Sequence, residues 1–256
     1  LGEANWPQRS AGCGCLDTCG FEKDAFYFYK SVWNQKEKFA YLCPHWNLKL
    51  EKGTVLPVIC YTNCEDAELF VNGRSFGMKS KGFPCYGMTE RYGHFDRYRR
   101  PANTDDLFLS WDVPYEPGKI EVVGYHDGKE VCRYNVETTG EAAAIKLTVD
   151  KTSVDADGRS IVQAEVRIVD NEGRLVFDAC PELDFTLEGD AEIIGIDNGD
   201  PACHEQWKET KGRHAFNGMA YAVIRAGQNK GELTLTVQAS GVDAAIGKAS
   251  VTISQK

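Results

Sequence analysis

The chain has 256 residues, 42% of them hydrophobic and 26% charged, with a net charge of −9. That length holds one large domain or two of ordinary size, and the composition belongs to folded globular chains. No apolar run approaches the roughly 20 residues of a membrane-spanning helix, and an acidic chain without a lysine-rich tail or arginine-rich helix would repel a phosphate backbone, so neither a membrane nor a nucleic acid is the expected partner.

The opening Leu1-Gly2-Glu3-Ala4-Asn5-Trp6-Pro7 has no initiating Met and no basic stretch followed by an apolar one. It is not a signal peptide, and it reads as a chain taken from something longer. Asp24 through Trp33 then predicts a helix, free of Gly and Pro, with Asp24 as its N-terminal cap and Phe26, Tyr29 and Trp33 as its apolar face.

From Phe39 the pattern changes to short alternating runs that predict strands: Phe39–Cys43, Thr54–Thr62, Ala67–Val71, Leu107–Val113, Ile120–Tyr125 and Glu130–Glu137. Asn72-Gly73 and Asp127-Gly128 are two-residue hairpin signals. Residues 79–106 break the rhythm, with Lys79, Lys81, Arg91, Arg97, Arg99 and Arg100 among Phe83, Tyr86, Tyr92, Phe95 and Tyr98. Such a mixture binds a single-stranded nucleic acid or an anionic ligand, or forms a long loop whose aromatics pack inward while its arginines face water; the loop is the preferred reading.

Thr139-Gly140-Glu141-Ala142-Ala143 reads as a linker, after which strands resume at Ile145–Val149, Ile161–Val169, Leu183–Leu187, Glu192–Ile196, Ala220–Arg225, Leu233–Ala239 and Ala249–Ile253. Short strands at this spacing, without intervening helices, predict an all-β chain of two immunoglobulin-like β-sandwiches. The expected division is 1–36, 37–140 and 141–256.

The ten cysteines are irregularly spaced. Cys13, Cys15 and Cys19 lack the matched second pair of a structural zinc site, and several others sit in apolar runs. They read as buried, reduced thiols, a usage that favours the cytoplasm over secretion. Asp197-Asn198-Gly199-Asp200 lacks the length and terminal Glu of a calcium hand, and His204-Glu205 lacks the second His of a zinc helix, so no metal and no cofactor are expected.

Several stretches resemble, in order and spacing, the C-terminal part of family 2 glycoside hydrolases of the β-galactosidase type. Leu1-Gly2-Glu3, Asn5-Trp6-Pro7, Arg9-Ser10, Gly14-Cys15-Leu16-Asp17, Gly20-Phe21-Glu22-Lys23-Asp24 and Tyr27–Trp33 are similar to the end of that family's catalytic barrel. Leu42-Cys43-Pro44-His45-Trp46-Asn47, Glu68–Gly73, Trp111–Gly118, Asp197–Pro201, His204-Glu205 and Ala215–Gly218 continue the match into the following modules.

The resemblance implies a retaining glycosidase as the parent, working through two glutamates about 5–5.5 Å apart on barrel strands that precede the matching region. Residues 1–36 then correspond to the last part of the barrel, and this chain is expected to carry no catalytic residue. Glucuronidases of the family place Asn-x-Lys before the equivalent of Gly14 to grip the sugar carboxylate. Ala11-Gly12-Cys13 stands there instead, which favours a neutral hexoside, galactoside first.

The expected role is accessory: sandwich modules that brace the barrel of the same parent chain and shape its active-site rim around a carbohydrate substrate. Candidate rim or interface residues are Trp6, Arg9, Trp46, Asp200, His204, Glu205 and Trp207. Trp6, in the loop after the last barrel strand, borders the sugar or packs. Trp46 stacks on a sugar or presses on the barrel. The alternatives are an independent carbohydrate-binding module built on Trp46 or Trp207, and flavin or anion binding in the basic-aromatic stretch, as in some related gut glucuronidases.

Overall fold

A computed structural model of the chain describes residues 5–8, 12–34, 36–81, 107–206, 208 and 212–256. The chain divides into two compact units, one formed by Glu22–Thr138 and the other by Leu1–Phe21 together with Thr139–Lys256. The segment read as 1–36 is therefore shared between them, parting at Phe21.

The Glu22–Thr138 unit begins with a helix, α1 (Asp24–Trp33), followed by β1 (Ala40–Cys43), β2 (Val55–Thr62), β3 (Asp66–Val71), β4 (Arg74–Ser80), β5 (Leu109–Pro114), β6 (Lys119–His126) and β7 (Lys129–Glu137). These make two antiparallel sheets, β1-β2-β5 and β4-β3-β6-β7. Alternate side chains of both enter one core of Leu42, Val58, Cys60, Leu69, Trp111, Val113, Ile120 and Val122, the inward period of two that a sandwich demands. Asn72-Gly73 and Asp127-Gly128 turn the hairpins with both residues at positive φ, the turn whose twist matches the flanking strands.

Three expectations for this unit need correction. Asp24 lies inside α1 rather than capping it, and its carboxylate accepts a hydrogen bond from the Tyr41 hydroxyl at 2.7 Å. The packed face of α1 is not Phe26, Tyr29 and Trp33: Tyr27 stacks on Tyr41 at 3.7 Å, Phe28 meets Tyr61 edge-on, and Ser31 is buried. Tyr29 and Trp33 stack on each other in the open, Trp33 being 73% exposed. Trp46 takes neither expected role, because it is a core residue, 1% exposed, whose indole N–H donates to the Glu116 carbonyl at 2.9 Å.

In the other unit the strands are β8 (Ala144–Val149), β9 (Ser153–Val154), β10 (Ile161–Val169), β11 (Glu182–Glu188), β12 (Ala191–Asp197), β13 (Gly212–His214), β14 (Met219–Ala226), β15 (Gly231–Ala239) and β16 (Lys248–Gln255). They form the sheets β12-β14-β10-β8 and β13-β11-β15-β16-β9. The core between them is aliphatic, with Val162, Val166, Ile168, Leu183, Ile224, Leu233, Leu235 and Ile253 almost fully enclosed. The linker is tied to this sandwich: the Gly140 N–H donates to Asp170 at 3.0 Å and the Ala143 N–H to the Val169 carbonyl at 2.8 Å.

Candidate functional site: the leading segment and the β12–β13 loop

Residues 5–8 and 12–21 lie against the sandwich of their own unit, which gathers several of the candidate residues in one place. The first contact is at the end of β12. Asp17 folds its segment into a tight turn, its carboxylate accepting the N–H groups of Cys19 and Phe21 at 2.8 and 2.9 Å. The same carboxylate faces Gly199 so closely that a Cβ on that glycine would sit 2.1 Å from it. Gly199 also has a φ of +78°, where glycine alone is unstrained. Beside this contact the Thr18 hydroxyl donates to Asp197 at 3.4 Å. Burial, with Asp197 adding to it, raises the Asp17 pKa, and burial pushes the Cys19 thiol up to about 12.

Trp6 and Pro7 make the second contact. The Trp6 indole lies 4.4 Å from the His204 ring, and the His204 Nε2 is 2.7 Å from the Pro7 carbonyl oxygen. Trp6 is otherwise 82% exposed. Further along, Phe21 packs edge-on against Tyr221 of β14 at 5.9 Å. Next to that pair is a cavity of about 380 Å³, lined by Cys19, Phe21, Asp150, Gln163, Glu165 and Tyr221 among others.

The β12–β13 loop that receives the segment is held from within by Arg213. This side chain is 1% exposed. Its guanidinium lies 3.5 Å from Asp197 and 3.7 Å from Glu205, and it donates to the Glu205 carbonyl at 3.1 Å and the Cys203 sulfur at 3.2 Å. Its Nε has no hydrogen-bond partner among the described residues. Burial works against the Glu205 carboxylate, but hydrogen bonds from His214 and Cys203 hold its pKa below the usual range. Asn198, 3% exposed, donates to the His214 carbonyl at 2.9 Å, and Asp200 caps the turn by accepting from the Ala202 N–H at 2.8 Å.

Of the residues singled out in the sequence, Trp6, Asp200, His204 and Glu205 therefore share one corner. Trp46 stands in the core of the other unit. Arg9 and Trp207 fall outside the described residues, as does 82–106 of the basic-aromatic stretch. Asp17, Gly199 and Arg213 were not singled out as site residues. A buried arginine in a polar run carries no sequence signal, and Asp17 and Gly199 meet only through the fold.

Comparison with known proteins places this architecture. Residues 145–247 match the glycoside hydrolase family 2 C-terminal domain 5, and residues 53–132 match a domain of unknown function, DUF4982. A β-galactosidase of Bacteroides ovatus is 35% identical over 96% of this chain and 26% of its own length. A β-glucuronidase of Formosa agariphila is 31% identical over 70% of this chain and 16% of its own. Among solved structures, a β-glycosidase from Bacteroides vulgatus superposes with a TM-score of 0.81 at 31% identity, covering 99% of this chain and 29% of that one. A family 2 glycosyl hydrolase from Bacteroides cellulosilyticus gives 0.84 at 26% identity, over 98% of this chain and 32% of that one. The chain spans between about a sixth and a third of these proteins, and it belongs to the family 2 glycoside hydrolases as part of their C-terminal region.

Proposed function

We propose that this chain is a non-catalytic accessory region of a retaining, β-galactosidase-like glycosidase, bracing the catalytic barrel of the same parent chain and shaping the rim of its sugar pocket. The observation that carries the reading is the seating of Trp6, Pro7 and Asp17 on His204 and Gly199. The stretch that resembles the end of a barrel is gripped by the loop between two sandwich strands, and polar loops at sandwich ends commonly face a ligand or another domain. The open face of α1 supports the same role. Tyr29, Val32 and Trp33 are exposed on a helix that resembles the last one of the barrel, and exposed apolar patches of this kind mark contact surfaces.

In the full-length enzyme His204→Ala is expected to lower kcat/KM or the melting temperature, while leaving the fold of the isolated chain unchanged. An enzyme indifferent to this change would count against bracing. The chain itself, incubated with nitrophenyl galactoside, glucoside and glucuronide, is expected to turn over none of them; activity that survives repurification would overturn the non-catalytic reading.

The cavity beside Tyr221 favours a second reading, glycan binding by this sandwich, since it joins an aromatic ring to carboxylates and an amide. Micromolar binding of an oligosaccharide, abolished by Tyr221→Ala, would establish it.

A further inference from the structure

Cys64 stands in the turn between β2 and β3, and Cys132 in β7, an edge strand of its sheet. Two successive strand pairings bring them together: β3 sets Ala67 opposite Gly124 of β6, and β6 sets Gly124 opposite Cys132. The two sulfurs are 3.5 Å apart. Gly124 makes the approach possible, because a Cβ at that position would lie 2.7 Å from both sulfur atoms.

The pair is unequal in both access and chemistry. Cys64 is 2% exposed, whereas Cys132 is half-buried. The hydrogen bond from Cys132 holds the Cys64 thiol below the ordinary thiol value; burial opposes this, and the Thr62 hydroxyl, Lys38 and His126 reinforce it. The same hydrogen bond, followed by burial, pushes Cys132 up. Cys60, also in this core, is fully buried and is pushed up to about 12 by that burial. The thiolate is the nucleophile in thiol–disulfide exchange, so the polarised pair is set apart from its neighbour.

We propose that Cys64 and Cys132 form a reversible oxidative modification site that takes a small-molecule disulfide as its oxidant. Cys64, favoured as the thiolate by the hydrogen bond from Cys132, attacks the oxidant. A mixed disulfide forms on Cys64, and one thiolate leaves. Cys132 then gives its proton to that thiolate and attacks the Cys64 sulfur, expelling the second thiolate. Two protein thiols are oxidised by two electrons, one external disulfide is reduced to two thiols, and the product joins the turn after β2 to the sheet edge.

The test uses the whole 256-residue chain, reduced, exposed to glutathione disulfide, blocked with iodoacetamide and digested without reductant. A peptide cross-linked through Cys64 and Cys132 is expected, lost on treatment with dithiothreitol. The oxidised chain should show the melting transition of this sandwich raised by about 10 °C, as constraint of an unfolded chain predicts. Recovery of both cysteines alkylated, each capped by glutathione, or joined preferentially to other cysteines would overturn the proposal. Cys132→Ser should abolish the cross-link. Gly124→Ala keeps both thiols but separates the sulfurs, and should slow cross-linking at least tenfold; an unchanged rate in that variant would refute the geometry.

Discussion

At Gly199, both the backbone and the surroundings exclude a side chain. Its φ is +78°, and the Asp17 carboxylate fills the space a Cβ would need. Gly199→Ala should therefore destabilise its unit by about 2 kcal/mol, the sum of left-handed strain and a steric clash. Adding Asp17→Ala should return at least about 1 kcal/mol, since residues in contact couple in a double-mutant cycle; additive denaturation energies would deny the contact. Arg213 is a harder case, with a side chain wholly out of water and carboxylates at 3.5 and 3.7 Å. Removing one partner of a buried pair costs about 3–5 kcal/mol. Because Asp197 and Glu205 retain solvent contact, Arg213→Met should fall near the lower end, about 3 kcal/mol by urea denaturation. Asp170 sets a pH dependence. Burial alone would raise its pKa, but the Arg174 guanidinium and the N–H groups of Arg174, Gly140 and Glu172 overcome that and hold it well below the usual range. A depressed carboxylate contributes its full stability above the unfolded pKa of about 3.9, and loses it as pH falls below that value. The unit should lose stability between about pH 4 and pH 2, and Asp170→Asn should flatten that part of the profile.

Among the elements, α1 shows what a sequence pattern can and cannot decide. Its limits, Asp24–Trp33, were legible from a Gly- and Pro-free run. Its packed face was not, because Tyr27 and Phe28 are as apolar as Phe26, Tyr29 and Trp33, and periodicity cannot choose a side on a helix that is apolar nearly all round. Tyr27→Ala should cost about 1–2 kcal/mol through the lost stack on Tyr41, whereas Trp33→Ala, at 73% exposure, should stay within about 0.5 kcal/mol in this chain. Reversal of that order in thermal melts would mean that α1 packs by its other face. Strand β4 was missed for a related reason: Arg74–Ser80 is exposed along almost its whole length, with a glycine at positive φ inside it, so no alternation marks it. Trp46 misled in the opposite sense. His45 and Asn47 beside it gave the look of a surface site, yet a single large apolar side chain entered the core between them. The hairpins at Asn72-Gly73 and Asp127-Gly128 were readable because their chemistry is local. The meeting of Cys64 with Cys132 was not, because it depends on register across three strands.

For the whole molecule, the main point is that one unit is discontinuous in sequence, completed by Leu1–Phe21 from the far end of the chain. The units part again between Thr138 and Thr139, but no sequence pattern joins residues nearly two hundred positions apart. Among the described residues, the contacts of the leading segment include Trp6 on His204, Asp17 at Gly199, Thr18 on Asp197 and Phe21 on Tyr221. Each uses side chains or a backbone carbonyl rather than a strand added to a sheet, so the association should survive separation of the two pieces as a weak, saturable equilibrium. A protein of residues 139–256 mixed with a peptide of residues 1–21 tests this. A ligand that binds only the folded state at about ten times its Kd contributes about 1.4 kcal/mol, which should raise the melting temperature of a domain of this size by about 5 °C. His204→Ala and Gly199→Ala should each weaken binding, His204→Ala by removing the ring contact and the bond to the Pro7 carbonyl, Gly199→Ala by occupying the place of Asp17. A control peptide with Trp6 and Asp17 both replaced by Ala should give no shift. If the melting temperature does not respond to the native peptide, or responds equally to the control, the loop does not grip the segment, and the bracing role proposed for it loses its basis.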